Sequence, residues 1–420
     1  MLRDPVVLGE NYILPGDDVG RTRPNANVLI VGTTGCGKST STVLPTAARS
    51  EHSNPVLSFA KEADACRMAR YLERKGYRCH ILNVARPEKS TVSFDPVLSV
   101  ASYEDIDTLS SAIVDAVIRK ANDDYWNAKA KPLLSSLIAA VFMAGEGGTP
   151  GMSDVLKLFD RTLPDEDGCT VSSEADGLFR RIQKASPGCY AVREYNAWRS
   201  LPYRTASCCR DTLSAALSAV FPEAIREMMR SRPQLDLEQF AENKEALIVI
   251  TSAVDRSQQY YANLFYRCLI RQLLRYSVDC PNGELPREIR LIFDDFACTC
   301  PISGFENDIS LFRSAGISTI LLLQSESQLE AVYSKAGASI IRQNCAAYVY
   351  FPGGSDDLSC ETVSRKMNLP YEEILYAPMG KVFIMQSGRS PVHIPRYDTL
   401  HSREYADYLE AGDRGTSGRA

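Results

Sequence analysis

Eight consecutive residues, Gly32-Thr33-Thr34-Gly35-Cys36-Gly37-Lys38-Ser39, are spaced as G-x-x-x-x-G-K-[ST], and Thr40 follows them. Residues of those types in that order bind the phosphates of a nucleoside triphosphate. The glycines let backbone N–H groups converge on phosphate oxygens with no Cβ in the way. A helix starting at Lys38 adds free N–H groups and the positive end of its dipole. Lys38 brings charge to the β- and γ-phosphates, and the Ser39 hydroxyl can ligate Mg²⁺. Residues 32–40 are therefore the expected ATP site. The competing reading is a chance glycine turn, and a preceding apolar strand with a following helix argues against it.

Hydrolysis also needs an acidic partner, whose signature is an apolar strand ending in a carboxylate. Leu291-Ile292-Phe293-Asp294-Asp295 has that form. Asp294 would hold the Mg²⁺–water shell, and Asp295 would orient or deprotonate the attacking water. A strand-terminal Asp that only caps the next turn is the alternative. Gln324 ends the apolar run Ser318 to Leu323. Its amide can aim at the water or the γ-phosphate, or can merely cap a loop. Arg313 precedes that run and is either an arginine finger for a neighbouring subunit or a solvated helix charge.

The elements that must position these groups alternate at first. Asn27 to Val31 is a short apolar run, the pattern of a strand buried on both faces. Pro55 to Phe59 and Arg78 to Val84 are further strands, with a helical stretch from Lys61 to Gly76 between them. That is the βαβ rhythm of a parallel sheet. From about Ser102 to Met229 the apolar spacing turns helical, as in Ile106, Leu109, Ile113 and Val117. Strands return at Ala246 to Ile250, Ile289 to Phe293, Ser318 to Leu323 and Ala346 to Phe351. The expected fold is α/β: a mostly parallel central sheet carrying the phosphate loop, interrupted by an all-helical domain. The expected boundaries are an irregular lead-in over 1–24, a split nucleotide-binding domain over 25–101 and 233–404, the helical insertion over 102–232 and a frayed tail over 405–420.

Composition narrows the function classes. The chain has 420 residues, 45% hydrophobic and 24% charged, which is ordinary for a globular protein and unlike a disordered one. A net charge of -5 argues against coating DNA over the whole surface and leaves room for a local basic lining. Arg180, Arg181 and Lys184 are candidates for such a lining, or simply a solvated helix face. The charge-free run Pro132 to Gly145 stops at 14 residues, short of a membrane span of about 18. With no secretory signal at the start, the expected location is the cytoplasm. Thirteen cysteines and four histidines show no zinc spacing.

Taken together the motifs resemble a known family, the cytosolic ATPases of type IV secretion coupling proteins, which act in bacterial conjugation and are related to ring-shaped DNA translocases. The resemblance covers about residues 25 to 390. It rests on Asn27 to Gly32 before the phosphate loop and on Asp123-Asp124-Tyr125-Trp126-Asn127-Ala128-Lys129-Ala130 in the helical block. It rests also on Asp294, on Arg313 nineteen positions later, and on Gln324-Ser325-x-x-Gln328-Leu329 with Tyr333 beyond. The resemblance implies a RecA-like phosphate-loop NTPase using ATP and Mg²⁺, working as a ring, usually a hexamer, with DNA in a central pore. It implies relaxase or effector proteins and membrane-embedded secretion components as partners, and a place at the inner face of the cell membrane.

Three departures stand out. The family usually has Asp-Glu where this chain has Asp294-Asp295, and the shorter side chain implies slow hydrolysis. The second strand usually ends Asp-Pro-Lys-Gly-Glu, whereas Phe59-Ala60-Lys61-Glu62-Ala63 stands here. Members usually carry N-terminal membrane helices, and no such run is seen. The first two departures favour the competing function, a catalytically weak nucleotide-binding adaptor that recruits relaxase or effector through the helical domain. A metabolic kinase fits less well, because the helical insertion is far larger than a lid requires.

Overall fold

The computed structural model describes residues 4–14, 25–117, 124–144, 150–163, 173–252, 258–299, 301–354 and 356–413. The chain divides into two compact units, one of Met1–Val92, Leu235–Asp255 and Leu269–Ala420, the other of Ser93–Gln234 and Arg256–Cys268.

Among the described residues the first unit has eleven strands: β1 (Val6–Gly9), β2 (Tyr12–Leu14), β3 (Val28–Gly32), β4 (Ser53–Phe59), β5 (Arg78–Asn83), β6 (Glu245–Ile250), β7 (Glu288–Phe293), β8 (Ile317–Leu323), β9 (Ala347–Phe351), β10 (Lys381–Gln386) and β11 (Val392–Pro395). Nine of them form one sheet in the order β11-β10-β9-β3-β8-β7-β4-β6-β5. From β9 to β5 every pairing is parallel, and β10 and β11 add antiparallel at one edge. Strands β3, β6, β7, β8 and β9 are buried at every residue, which is why they are mostly apolar rather than alternating; buried Glu245, Glu288 and Arg290 stand at or near the strand starts.

The order has one consequence for chemistry. β8 lies between β3, which feeds the phosphate loop, and β7, which ends at Asp294. Register pairs Val31 with Leu323 and Phe293 with Leu321, so the C-terminal ends of all three strands finish together. In open parallel sheets ligands bind outside those ends.

Two stretches differ from their sequence reading. The lead-in is not wholly irregular: β1 and β2 pair as an antiparallel hairpin, with Val6, Val7, Leu8 and Leu14 buried; its remainder, 15–24, lies outside the described residues. The tail does not fray at 405, since a helix runs from Arg403 to Asp413 and buries Tyr408 and Ala411, spaced i, i+3 on one face. Residues 414–420 lie outside the described residues.

The hairpin is anchored by charge as well as by packing. Asp4 is buried, and its carboxylate accepts from the backbone N–H groups of Glu51, His52 and Ser53 at 2.9, 3.0 and 2.8 Å and from the Ser53 hydroxyl at 2.6 Å. Burial alone would raise its pKa, but the hydrogen bonds led by Ser53 outweigh it and hold the carboxyl below its usual range. Fully buried Arg290 donates to the Asp4 carbonyl at 2.6 Å and pairs with Glu288 at 3.1 Å. A depressed carboxylate stabilises the fold above its unfolded pKa, near 4, and that stabilisation is lost as pH falls through the folded value. Asp4→Ala should therefore cost about 2 kcal/mol or more at neutral pH by orphaning buried donors. Urea titrations at pH 7 and pH 3 check it: the gap from the unchanged chain should narrow at the lower pH.

The second unit is helical within the described residues. Its helix Asp124–Ala144 begins in the aromatic string noted above and buries Leu133, Leu134, Leu137 and Ile138 fully. Asp123 itself is outside the described residues. Phe179 and Tyr195 stack at 3.8 Å, and the Tyr195 hydroxyl donates to Asp176 at 2.8 Å. Among the described residues of the whole chain, no helix is long and apolar enough to cross a membrane.

Candidate active site

The phosphate loop leaves β3 at Gly32 and turns through Gly35 and Gly37, whose φ values of 83° and 94° suit glycine. Gly32 is needed for a different reason: a Cβ there would lie 2.7 Å from Phe351 and 2.9 Å from the Cys36 sulfur. Cys36 is a buried free thiol, and burial raises its pKa despite nearby Lys38, so it packs as a neutral side chain. Lys38 is only 6% exposed. Its ammonium donates to the Gly32 carbonyl and, at 2.9 Å, to the Thr33 carbonyl, which holds the charge over the loop. Helical structure follows from Ser39 to Ala48. Its first five residues, Ser39–Val43, are π-helical, directly ahead of Pro45, which cannot donate to Ser41.

The acidic turn meets this loop. The Ser39 hydroxyl donates to Asp294 Oδ1 at 2.9 Å. Asp294 is a buried carboxyl whose pKa is raised, mainly by desolvation; the Ser39 hydrogen bond and Lys38 oppose the rise and Asp295 adds to it. Hydroxyl and carboxylate oxygens 2.9 Å apart are the hard, sparse donor set that suits Mg²⁺, which keeps most of its shell for water and phosphate. Among the described residues no cluster of three or more His, Cys, Asp or Glu could hold a metal without such help.

Asp295 adopts a left-handed backbone at φ 56°, which Asp tolerates better than most residues. Its Oδ1 accepts from the Gln324 amide at 3.1 Å, and the Gln324 carbonyl oxygen in turn accepts from Gln328 Nε2 at 3.4 Å. Ser325 caps the helix Glu326–Gln343 by accepting from the Gln328 N–H at 3.2 Å. The string Gln324-Ser325-x-x-Gln328 is thus one device: Ser325 starts the helix, and the helix presents Gln328 to Gln324. Behind the turn, Phe296 stacks on Tyr333 with ring centroids 5.6 Å apart.

The structure brings together residues 32–40, Asp294, Asp295 and Gln324. It does not bring Arg313 to them. Arg313 is exposed on the short helix Phe312–Ala315, which precedes β8, whereas Gln324 follows β8. The seven residues of that strand separate the two by about 20 Å. Of the altered second strand, Lys61 is exposed and Glu62 pairs with Lys89 at 2.5 Å and Arg86 at 3.5 Å. Two contacts escaped the sequence. Gln328 was visible in a motif but had no role there. Arg396, beyond β11, donates from Nη1 to the Cys36 carbonyl at 2.9 Å.

The raised pKa of Asp294 yields a two-sided expectation. A group whose pKa is raised on folding contributes stability that is fully present below its unfolded pKa and is lost as pH rises through the folded value. Asp294→Asn should therefore raise the thermal midpoint of the nucleotide-free protein at pH 7–8, with a smaller gain at pH 4. If Asp294 holds Mg²⁺ as the sequence suggests, the same change should cut Mg²⁺-dependent ATP turnover by about 10²-fold or more. Scanning calorimetry and a phosphate-release assay read the two arms.

A sequence model of the type IV secretory system conjugative DNA transfer family matches residues 3–367. Curated proteins gave no match. Among solved structures the chain is similar to the plasmid coupling protein TrwB in complex with the non-hydrolysable ATP analogue ADPNP, at 17% identity over 90% of each chain and a TM-score of 0.63. It is similar to TrwB in complex with ADP and Mg²⁺, at 16% identity over 90% of each chain and a TM-score of 0.62. It is also similar to VirB4 of Thermoanaerobacter pseudethanolicus, at 14% identity over 96% of this chain and 98% of that one, with a TM-score of 0.59. At these identities the likeness establishes the fold, that of a RecA-like phosphate-loop NTPase. The family match covers far more than half of the sequence, and the chain belongs to the type IV secretory system conjugative DNA transfer family.

Proposed function

We propose that this chain is an ATP-hydrolysing coupling protein of a type IV secretion system, working with Mg²⁺ to recruit DNA or a DNA–protein substrate and move it to the secretion channel. The observation that carries this reading is the meeting of the Ser39 hydroxyl with Asp294 at 2.9 Å beside the Asp295–Gln324 bond at 3.1 Å. A phosphate loop with a metal-holding carboxylate, a second carboxylate and a polar sensor is the equipment of hydrolysis rather than of phosphate binding alone.

In this reading residues 32–40 bind the phosphates, and Lys38 holds charge against the β- and γ-oxygens. Ser39 and Asp294 would hold a bound Mg²⁺, which neutralises phosphate charge. Asp295 takes the proton of the attacking water, and the Gln324–Gln328 pair fixes the direction of its carboxylate. Arg313 acts in a neighbour's site, because it is too far from its own. That assigns the active state to a homo-oligomeric ring, a hexamer as the family resemblance implies, with DNA held through its phosphates irrespective of sequence. Relaxase or secreted effectors and membrane-embedded secretion components would be the further partners, with the protein peripheral at the inner face of the membrane.

A second reading has one observation in its favour: Asp295 carries the short acid, so a nucleotide-binding adaptor that recruits relaxase or effector through its helical unit also fits. ATP turnover measured with and without single-stranded and duplex DNA separates them. Turnover stimulated by DNA supports the motor; bound nucleotide with no turnover under any condition sinks it and leaves the adaptor.

A further inference from the structure

The phosphate loop is held from outside by the far end of the chain. Beyond β11, the Arg396 backbone N–H donates to the Gly380 carbonyl at 2.9 Å, and its guanidinium reaches the Cys36 carbonyl at 2.9 Å. Three residues on, the Thr399 hydroxyl donates to the Thr40 carbonyl at 2.7 Å. The segment 396–399 thus grips both flanks of Gly37-Lys38-Ser39. A Cβ on Gly37 would collide with Arg396 Nη1, so glycine there makes room for the guanidinium as well as for the turn.

Arg396 donates to a neutral group, as half-buried Arg210, Arg226 and Arg287 do, but it does so at the phosphate loop. Half-buried Arg342 is paired with Glu326 and Glu330, and buried Arg290 with Glu288. Half-buried Arg396 donates to a neutral carbonyl and forms no ion pair among the described residues, although Asp398 lies near enough to feel its charge. A guanidinium has five N–H donors, and most of these remain available. The carbonyl bond also orients the loop. Peptides are planar and trans here, so the Gly37 N–H points away from the Cys36 oxygen and hence away from Arg396. Fixing the oxygen outward fixes that N–H inward, where phosphate oxygens sit.

We propose that Arg396 is a positioning residue for the α- and β-phosphates of the bound nucleotide: it locks the Cys36–Gly37 peptide and adds a second positive charge beside Lys38. The proposal rests on the reading of residues 32–40 as a nucleotide site. It assigns Arg396 to affinity rather than to hydrolysis, because the loop amides cradle the α- and β-phosphates, which ADP and ATP share.

Isothermal titration with ADP and with ATP, both with Mg²⁺, tests this on the full chain and on Arg396→Ala, Arg396→Met, Arg396→Lys and Lys38→Ala. Arg396→Ala and Arg396→Met should weaken ADP and ATP by the same factor, tenfold or more. Arg396→Lys should recover part of the loss, and kcat at saturating ATP should change less than threefold. The Met variant keeps the aliphatic packing should the Ala variant fold poorly. Affinities within twofold of the unchanged chain in the Met variant, with Lys38→Ala defective, would overturn the proposal alone. Loss of ATP affinity with ADP unaffected would also overturn it, placing the charge at the γ-phosphate. No binding by the unchanged chain would overturn the nucleotide site itself.

Discussion

Lys38→Ala should abolish measurable ATP turnover, a fall of about 10³-fold or more, while leaving the fold intact. Lys38 is 6% exposed, and its ammonium is held by the Gly32 and Thr33 carbonyls. On the proposed function it opposes, in a desolvated site, charge that develops on the phosphates, and losing one such preorganised donor commonly costs about 10²–10³-fold. Lys38 also contributes to ground-state binding, so KM rises as kcat falls and the losses multiply in kcat/KM. Its hydrogen-bond partners are carbonyls rather than a carboxylate, and buried Asp294, which loses a compensating charge, can take up a proton, so the thermal midpoint should fall only modestly. Steady-state phosphate release, with calorimetry as the folding control, reads both. Turnover within tenfold of the unchanged chain would place hydrolysis elsewhere.

The second large effect concerns Asp295, and the sign depends on the replacement. Asp295→Asn removes the proposed proton acceptor and should lower turnover by about 10²–10⁴-fold, the usual contribution of a general base. Asp295→Glu extends the carboxylate by one methylene, or about 1 Å, and a misplacement of that size can be worth about 10²-fold. Turnover in the Glu variant should therefore rise. The gain has a structural cost, because residue 295 sits at φ 56°. Longer side chains tolerate that region less well than Asp does, by about 1 kcal/mol. Faster hydrolysis with a lower thermal midpoint is the expected pair. A Glu variant slower than the unchanged chain would show that the Gln324 bond already places the short acid correctly, and the adaptor reading would lose its main support.

How much of this was legible in the sequence follows from whether each feature is local. The phosphate loop is contiguous, because its ligands are backbone groups of one turn, so Gly32 to Thr40 could be read directly. The buried strands were legible because two covered faces demand continuous apolar runs, as in Leu321, Leu322 and Leu323. Asp294 and Gln324 were visible as the polar residues that end such runs. The antiparallel edge formed by β10 and β11 was not, since half of the β11 side chains are exposed and no apolar run marks that strand. β1 and β2 were missed because strands of 4 and 3 residues are too short for a period, and their stability comes from Asp4 meeting residues 47–49 positions away. Arg396 touches a residue 360 positions distant, and no local pattern encodes such a contact. Arg313 could be named by spacing alone, and only the topology reveals that it stands at the far end of its strand from Gln324.

That strand has a mechanical meaning. β8 is hydrogen-bonded on both sides, buried at all seven residues, and contains no glycine or proline that could flex. It is a stiff rod, with Gln324, the sensor of the proposed function, at one tip and exposed Arg313 beyond the other. On the proposed function, a small pull on Gln324 when phosphate departs would travel along this strand toward Arg313, with Gly316 as the joint between them. In a ring whose neighbours share sites, the same rod would carry news of one subunit's hydrolysis to the next, setting the order in which subunits fire.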